Sequence, residues 1–381
     1  MNTLINTLAS VSFAAFSACV PACARAQAPA QPQTSPTLTW NQVALDTVVR
    51  VKPTQHQAAR LLAYMSLAQY AALSQGQGET AVSDAVATAS MRVIADLAPS
   101  QAAYVEERLR ELGARESDSG RRVAQSVLAQ AHSDEFVRTL ATQPAQGAYT
   151  WRSLANPPAP PAYPALGAMR PFLLESGAVF RAAPPPSMAS VQFLNDLTEV
   201  WHYTMAATQE STRIAKFYDM TTGTLAAGFW NEQAAALIRK NNVSERQAAR
   251  VLATMNTAMM DALIACHDTK YAYWVPRPSQ AEPAVKPLIG VPNHPSYPSN
   301  HSCLSSTAAR VLAHFFQPER GRLEKFASEA GLSRIYAGIH YRFDVDAGEE
   351  IGRKVAATAV ARHEDMLARW TQTAVAQRTD R

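Results

Sequence analysis

The stretch Ser244–Tyr271, SERQAARVLATMNTAMMDALIACHDTKY, decides the fold. Ser244 followed three residues later by Gln247 has the form of a capping box, and the run behind it predicts one helix of about 25 residues. Just upstream, Asn231–Lys240 also reads as helix. Downstream, Pro276, Pro278, Pro283, Pro287, Pro292, Pro295 and Pro298 punctuate a long loop. Helical patterns resume over Ser302–Phe316, Leu323–Ala330 and Asp344–Trp370. Toward the N-terminus the pattern turns helical from about Trp40. Ala58, Leu61, Leu62, Met65 and Ala68 recur at helical steps, as do Val82, Val86, Ala89, Val93 and Leu97. Pro99-Ser100 resets the chain before Ala102–Leu112 and Val123–Leu140. Alternating strand patterns are nearly absent, so the fold class is all-α.

Between the two helical halves, residues 156–164 hold five prolines, and Pro184-Pro185-Pro186 follows. These read as extended loops draped on one helical body, because neither flank looks complete alone. The second half begins near Met188. The expected organisation is a leader over 1–28, a linker over 29–39, an N-terminal helical region over 40–187 and a helical core over 188–375.

The chain has 381 residues, 47% hydrophobic and 17% charged, which excludes a disordered protein. Its formal net charge of +4 comes with no Lys/Arg block, so nucleic-acid binding has no support. Leu4–Val20 is mostly apolar or small, and Ala22-Cys23-Ala24 and Ala24-Arg25-Ala26 have the small-x-small form of a cleavage site. This predicts export to the periplasm or medium, although no Lys or Arg precedes the apolar stretch. Lipidation at Cys19 or Cys23 is a weaker reading. No later apolar run reaches 18 residues, so the mature chain is expected to lack a membrane span. Cys266 and Cys303 are too few for a disulfide framework, and the sequence leaves their pairing open.

Three clusters carry the chemistry. Lys270 is followed after six residues by Arg277-Pro278; then comes Pro298-Ser299-Asn300-His301; then Ser333-Arg334, five residues, His340, three residues and Asp344. Lys is a compact point charge, whereas Arg grips phosphate-like oxygens through a planar fork. A helix beginning after Ser299 adds N–H donors and a favourable dipole. His340 and Asp344 would share a helix face, the carboxylate holding one ring nitrogen and leaving the other free as nucleophile or metal ligand. His301 is placed to be the opposing acid. The inventory describes an oxyanion site. Two neighbours stay undecided between core and site: His267, and the aromatic pair Tyr273 and Trp274. His202, in Trp201-His202-Tyr203, reads as a core or capping residue. A zinc site from His294, His301, His340 and Asp346 matches no standard spacing, and the nearby cations oppose it.

In order and spacing, the three blocks resemble the signature of the type 2 phosphatidic acid phosphatase and vanadium haloperoxidase superfamily. Phrases such as Asn293-His294-Pro295-Ser296-Tyr297-Pro298 look like its soluble, exported bacterial branch, and Met169–Leu174 and Gly228–Asn231 are similar more loosely. The resemblance is firm over Lys270–Asp344. It implies the helical bundle of that superfamily with an additional N-terminal helical region. It also implies an acid phosphatase-type phosphomonoesterase that needs no divalent metal. Lys270, Arg277, Ser299, Asn300 and Arg334 would bind the phosphate, His340 would form a phosphohistidine oriented by Asp344, and His301 would serve as acid–base. Asn300 stands where the family has Gly, bringing a side chain close to the oxyanion.

The same pocket would hold vanadate in a haloperoxidase, with His340 as the vanadium ligand. His340-Tyr341-Arg342-Phe343-Asp344 leans to that branch, as does His294, near where bromide-oxidising members have His. Val345-Asp346-Ala347-Gly348 looks like the acid phosphatases. A third reading is a non-catalytic oxyanion-binding protein. The substrate class is a small-molecule or lipid phosphate. One geometric question is open: on an unbroken helix Arg334 and His340 would point about 120° apart, unless Gly338 breaks it.

Overall fold

Helix starts are written into the chain as caps. Ser35 accepts the Leu38 N–H and Pro36 occupies the first helical turn, so α1 runs Pro36–Val51. Glu245 also accepts hydrogen bonds from the Ser35 hydroxyl and the Thr37 N–H. Residues 36–39, expected in a linker, are therefore helical. The computed structural model describes residues 35–75, 78–136 and 150–376. The expected leader, with Cys19 and Cys23, lies outside the described residues.

The helices that follow are α2 (Gln55–Ala72), α3 (Glu79–Leu97), α4 (Ala102–Glu111) and α5 (Asp118–His132). After the proline-rich segment come α6 (Val191–Met205), α7 (Gln209–Phe217), α8 (Leu225–Lys240) and α9 (Glu245–Tyr273). A short turn, α10 (Pro278–Ala281), precedes α11 (Asn300–Phe315), α12 (Arg320–Tyr336) and α13 (Arg342–Ala376). Among the described residues there is no strand. Thr54, Ser117, Ser190, Thr208, Ser244 and Ser299 each cap the helix that follows them.

The axis of the fold is α9, buried along almost its whole length from Ala248 to Lys270. It packs against α2, α11 and α13, and its many alanines let those helices approach closely. Each large apolar side chain it buries, such as Leu252, Met259 or Leu263, stabilises the fold by roughly 1.5–3 kcal/mol. One hydrophobic core runs from Leu38 in α1 to Leu367 in α13, so the N-terminal and C-terminal helices form one body from Ser35 onward.

The proline-rich segment is fixed to α9 by a buried carboxylate. Asp261 accepts the backbone N–H groups of Phe172, Leu173 and Leu174 at 2.8, 2.8 and 3.0 Å. Its burial raises the carboxyl pKa to about 7, against which the three N–H donors pull.

Two expectations change. The helix expected over Val123–Leu140 stops at His132. There the chain turns inward so that Asp134 meets Arg60 Nε at 2.7 Å and the Tyr64 hydroxyl at 2.9 Å. Leu140 lies outside the described residues. His202, expected in a core or cap, is exposed, as is Trp201, because α6 faces inward through Phe193 and Val200 instead.

Candidate active site

The site starts where α12 breaks. Gly338 has φ +76°, and a Cβ there would lie 2.6 Å from Thr204 Cγ2, so only glycine fits the turn. Gly338 and Ile339 donate back to the carbonyls of Ile335 and Arg334. The break answers the question of direction. Arg334 sits in the last turn of α12, while His340 lies in the short link before α13.

His340 and Asp344 are therefore not on one helix, as their spacing led one to expect, yet they meet. Asp344 is in the first turn of α13 and reaches back over the helix start. Its Oδ2 lies 2.8 Å from His340 Nδ1 and accepts the Tyr341 N–H at 3.1 Å. Ser296 donates its hydroxyl to the same oxygen at 2.5 Å. Burial raises the Asp344 pKa to about 6, while the Ser296 hydrogen bond and the Lys270 charge oppose the rise. At neutral pH it is a carboxylate, so Nδ1 of His340 carries the proton. Nε2 then presents a lone pair, toward which Arg277 Nη1 points from 3.0 Å. Burial, then the charges of Arg277 and Lys270, hold His340 well below the usual imidazole range.

The cations come from three places. Trp274, with φ 51°, ends α9 just after Lys270. The Lys270 ammonium donates to the carbonyls of Pro295 (2.9 Å), Ser296 (2.8 Å) and Pro298. All three of its N–H donors thus support the loop under the site, although the sequence placed it on the oxyanion itself. Its pKa falls to about 8, chiefly through burial. Arg277 is fully buried and donates to the carbonyls of His294 (3.1 Å) and Ile339 (2.8 Å), with Nη2 3.1 Å from His294 Nδ1. Arg334 donates from Nη2 to the Tyr218 carbonyl at 2.6 Å and from Nε to Ser333 Oγ at 3.1 Å. Burial lowers both guanidinium pKa values to about 10, so both stay charged.

The third wall is the start of α11. Ser299 caps it, accepting the Ser302 N–H at 3.3 Å, and its own N–H donates to the Asp344 carbonyl at 2.9 Å. Gly348 lets α13 lie this close, since a Cβ there would be 2.7 Å from the Ser299 carbonyl. His301 follows in the first turn. Its ring bonds to the backbone of Asp219 and Tyr218, and its Nε2 is buried with no partner among the described residues. Burial, then Arg334, lowers its pKa well below the usual range. The Asn300 amide is engaged by side chains of α9. Its Oδ1 accepts the Cys266 thiol at 2.9 Å and its Nδ2 lies 3.2 Å from His267 Nε2. Cys266 and Cys303 are buried free thiols.

Beside part of this set lies a cavity of about 290 Å³, which Lys270, Arg277 and Ser299 do not line. His340, His301, Arg334, His294 and Asn300 line it, beside Met220, Leu225, Leu263 and Leu304. His56 of α2 and Tyr163 of the proline-rich loop complete it. Sequence reasoning missed Ser296, Tyr218, Asp219, His56 and Tyr163. Ser296 lay inside a quoted motif, but nothing local tells which partner its hydroxyl meets. The arrangement gathers three cations, the carboxylates of Asp344 and Asp219, one oriented imidazole lone pair on His340, and unpartnered ring nitrogens on His301 and His56 among the described residues. Chemically it suits a tetrahedral oxyanion, which His340 Nε2 could attack or ligate.

The chain is similar to known proteins in sequence and in fold. Residues 251–365 match the PAP2 superfamily. The chain is 28% identical over 184 residues to a non-specific acid phosphatase of Providencia stuartii, covering 47% of this chain and 70% of that protein. A non-specific acid phosphatase of Salmonella typhi is 43% identical over 58 residues, 15% of this chain and 23% of that protein. In fold, the chain is similar to a bacterial vanadium-dependent iodoperoxidase, with TM-score 0.74 and 23% identity over 85% of this chain and 96% of that one. A bacterial vanadium-dependent chloroperoxidase in its apo form gives TM-score 0.67 at 14% identity, over 85% of this chain and 95% of that one. Residues 251–365 thus match the PAP2 superfamily, within an all-helical body similar in fold to vanadium-dependent haloperoxidases.

Proposed function

We propose that the protein is a phosphomonoesterase of acid phosphatase type, working through a phosphohistidine on His340. The observation that carries this reading is the setting of His340: Asp344 Oδ2 faces Nδ1 and leaves Nε2 as a lone pair beside Arg277, within the field of Lys270 and Arg334. Phosphoryl transfer needs positioning and charge stabilisation above all, and these protein cations supply the charge. Arg277 and Arg334 grip the nonbridging oxygens, helped by Ser299 and the Asn300 N–H at the start of α11, while Lys270 braces the loop that carries Ser296 and Ser299. His340 Nε2 attacks phosphorus as the P–O ester bond breaks, and His301 gives its Nε2 proton to the leaving oxygen. His301 then takes a proton from water, which attacks phosphorus, breaks the P–N bond and releases phosphate. In the free protein His301 is neutral; the negative charge of the bound ester raises its pKa and lets it carry that proton. Export, read from residues 1–26, belongs to this proposal, and among the described residues no helix is long and apolar enough to cross a membrane.

A second reading has one specific support, the likeness in fold to vanadium-dependent peroxidases over 85% of the chain. The residues fit vanadate as they fit phosphate: His340 Nε2 would ligate it and the two arginines would hold its oxygens. Bound vanadate would supply peroxide activation for halide oxidation.

The test is p-nitrophenyl phosphate hydrolysis by the purified protein beside His340→Ala. We expect turnover that vanadate inhibits, lost by at least about 1,000-fold in the variant, with an acid-labile phosphohistidine trapped in the parent. Absence of hydrolysis, with iodide oxidation after vanadate loading, would assign the second reading. Phosphate binding with neither activity would leave a non-catalytic oxyanion-binding protein.

A further inference from the structure

Asn300, His267 and His56 form a chain of polar contacts that the phosphoryl chemistry does not use. His267 Nδ1 lies 3.2 Å from the Tyr163 carbonyl, which can only accept, so Nδ1 carries a proton. The Cys266 thiol faces Asn300 Oδ1 at 2.9 Å and the Pro298 carbonyl at 3.7 Å, and the Asn300 NH2 group lies nearer His267 Nε2 (3.2 Å) than His56 Nε2 (3.5 Å). Nε2 of neutral His267 is thus an acceptor. His56 Nε2 sits 2.8 Å from it and must be the donor. His56 is then left with a lone pair on Nδ1, buried and without a partner among the described residues. Burial and the Lys270 charge lower the His56 pKa to about 3, consistent with a neutral ring.

His56 is 5% exposed and lines the cavity beside Tyr163, whose ring centroid is 4.6 Å from its own. The same cavity is lined by apolar Met220, Leu225, Leu263 and Leu304, with polar Thr54, Gln55, Asp219 and Thr221 also on its wall. A buried acceptor without a partner is costly unless a ligand brings a donor.

We infer that His56 is a specificity-determining residue: it accepts a hydrogen bond from an O–H or N–H group on the leaving group of the substrate. The preferred substrate class is a phosphomonoester with an apolar body that carries one hydroxyl or amine donor. The inference rests on the phosphomonoesterase reading for its substrate. Asn300 and His267 act as positioning residues, because they set the tautomer that leaves Nδ1 of His56 an acceptor.

The experiment compares kcat/KM for the three isomers of hydroxyphenyl phosphate with phenyl phosphate and the matching methoxyphenyl phosphates. We expect one hydroxylated isomer to exceed both controls by on the order of tenfold in the parent protein. In His56→Leu that ratio should fall to about one. The parent comparison needs no variant to fold. Ratios within twofold for every isomer, or a preference that persists in the folded variant, would overturn the inference. Calorimetric binding of the hydroxybenzyl- and benzylphosphonates separates the two readings. If no ester is turned over but the hydroxylated phosphonate still binds on the order of tenfold tighter, the phosphomonoesterase reading fails and the His56 subsite stands. Equal binding of the two phosphonates overturns the subsite.

Discussion

Ser296 donates its hydroxyl to Asp344 Oδ2 at 2.5 Å, the same oxygen that faces His340 Nδ1 at 2.8 Å. Together with the Tyr341 N–H, this puts three donors on one carboxylate oxygen, while Oδ1 has no partner among the described residues. The orientation of the proposed nucleophile therefore depends on a serine from the proline-rich loop.

That relationship predicts a pH profile. Asp344 has its pKa raised to about 6, mainly by burial, and orients His340 only as a carboxylate. Above pH 6 it is ionised; as pH falls through 6 it protonates and releases Nδ1. Phosphatase kcat/KM should fall about tenfold per pH unit below this point. Ser296→Ala removes a donor to the carboxylate, so the acid limb should move to higher pH and kcat fall on the order of tenfold. In Asp344→Asn the limb should vanish, with kcat down on the order of 100-fold or more. An unchanged limb in Asp344→Asn would assign it to another group.

His301 is predicted to protonate the leaving oxygen. His301→Ala should then lower kcat for alkyl phosphates by on the order of 1,000-fold. For p-nitrophenyl phosphate, whose leaving group needs no proton, the loss should be far smaller. Steady-state kinetics across a series of leaving groups measures this; equal losses throughout would remove His301 from that role.

Asn300→Gly restores the residue that the family resemblance places here, but it deletes the acceptor for Cys266 and the donor to His267. It also places glycine in the first turn of α11. We expect a stability loss of about 1–2 kcal/mol by urea denaturation. A variant as stable as the parent would show that the amide bridge contributes nothing.

Asp261→Asn keeps the shape and one acceptor oxygen, but turns an NH2 group against the backbone N–H of Phe172 or against those of Leu173 and Leu174. The expected cost is about 3 kcal/mol, again by denaturant titration. A loss under about 0.5 kcal/mol would show that the proline-rich segment is held by its apolar contacts alone.

The sequence by itself determined the helices and the inventory of the site. Helical periodicity and caps are local, so Ser244, Ser299 and the apolar steps of α2, α3 and α9 were legible, as were the spacings of Lys270, Arg277, His301, Arg334, His340 and Asp344. Only the tertiary structure decided which atoms face one another. The turn at Gly338 takes His340 off the helix, the loop at residues 295–298 occupies the donors of Lys270, and the Asn300 amide meets His267. His56 lies 211 positions before His267, and no local pattern encodes that meeting. It exists because α2 and α9 bury their small, apolar faces against each other, a property of the whole core.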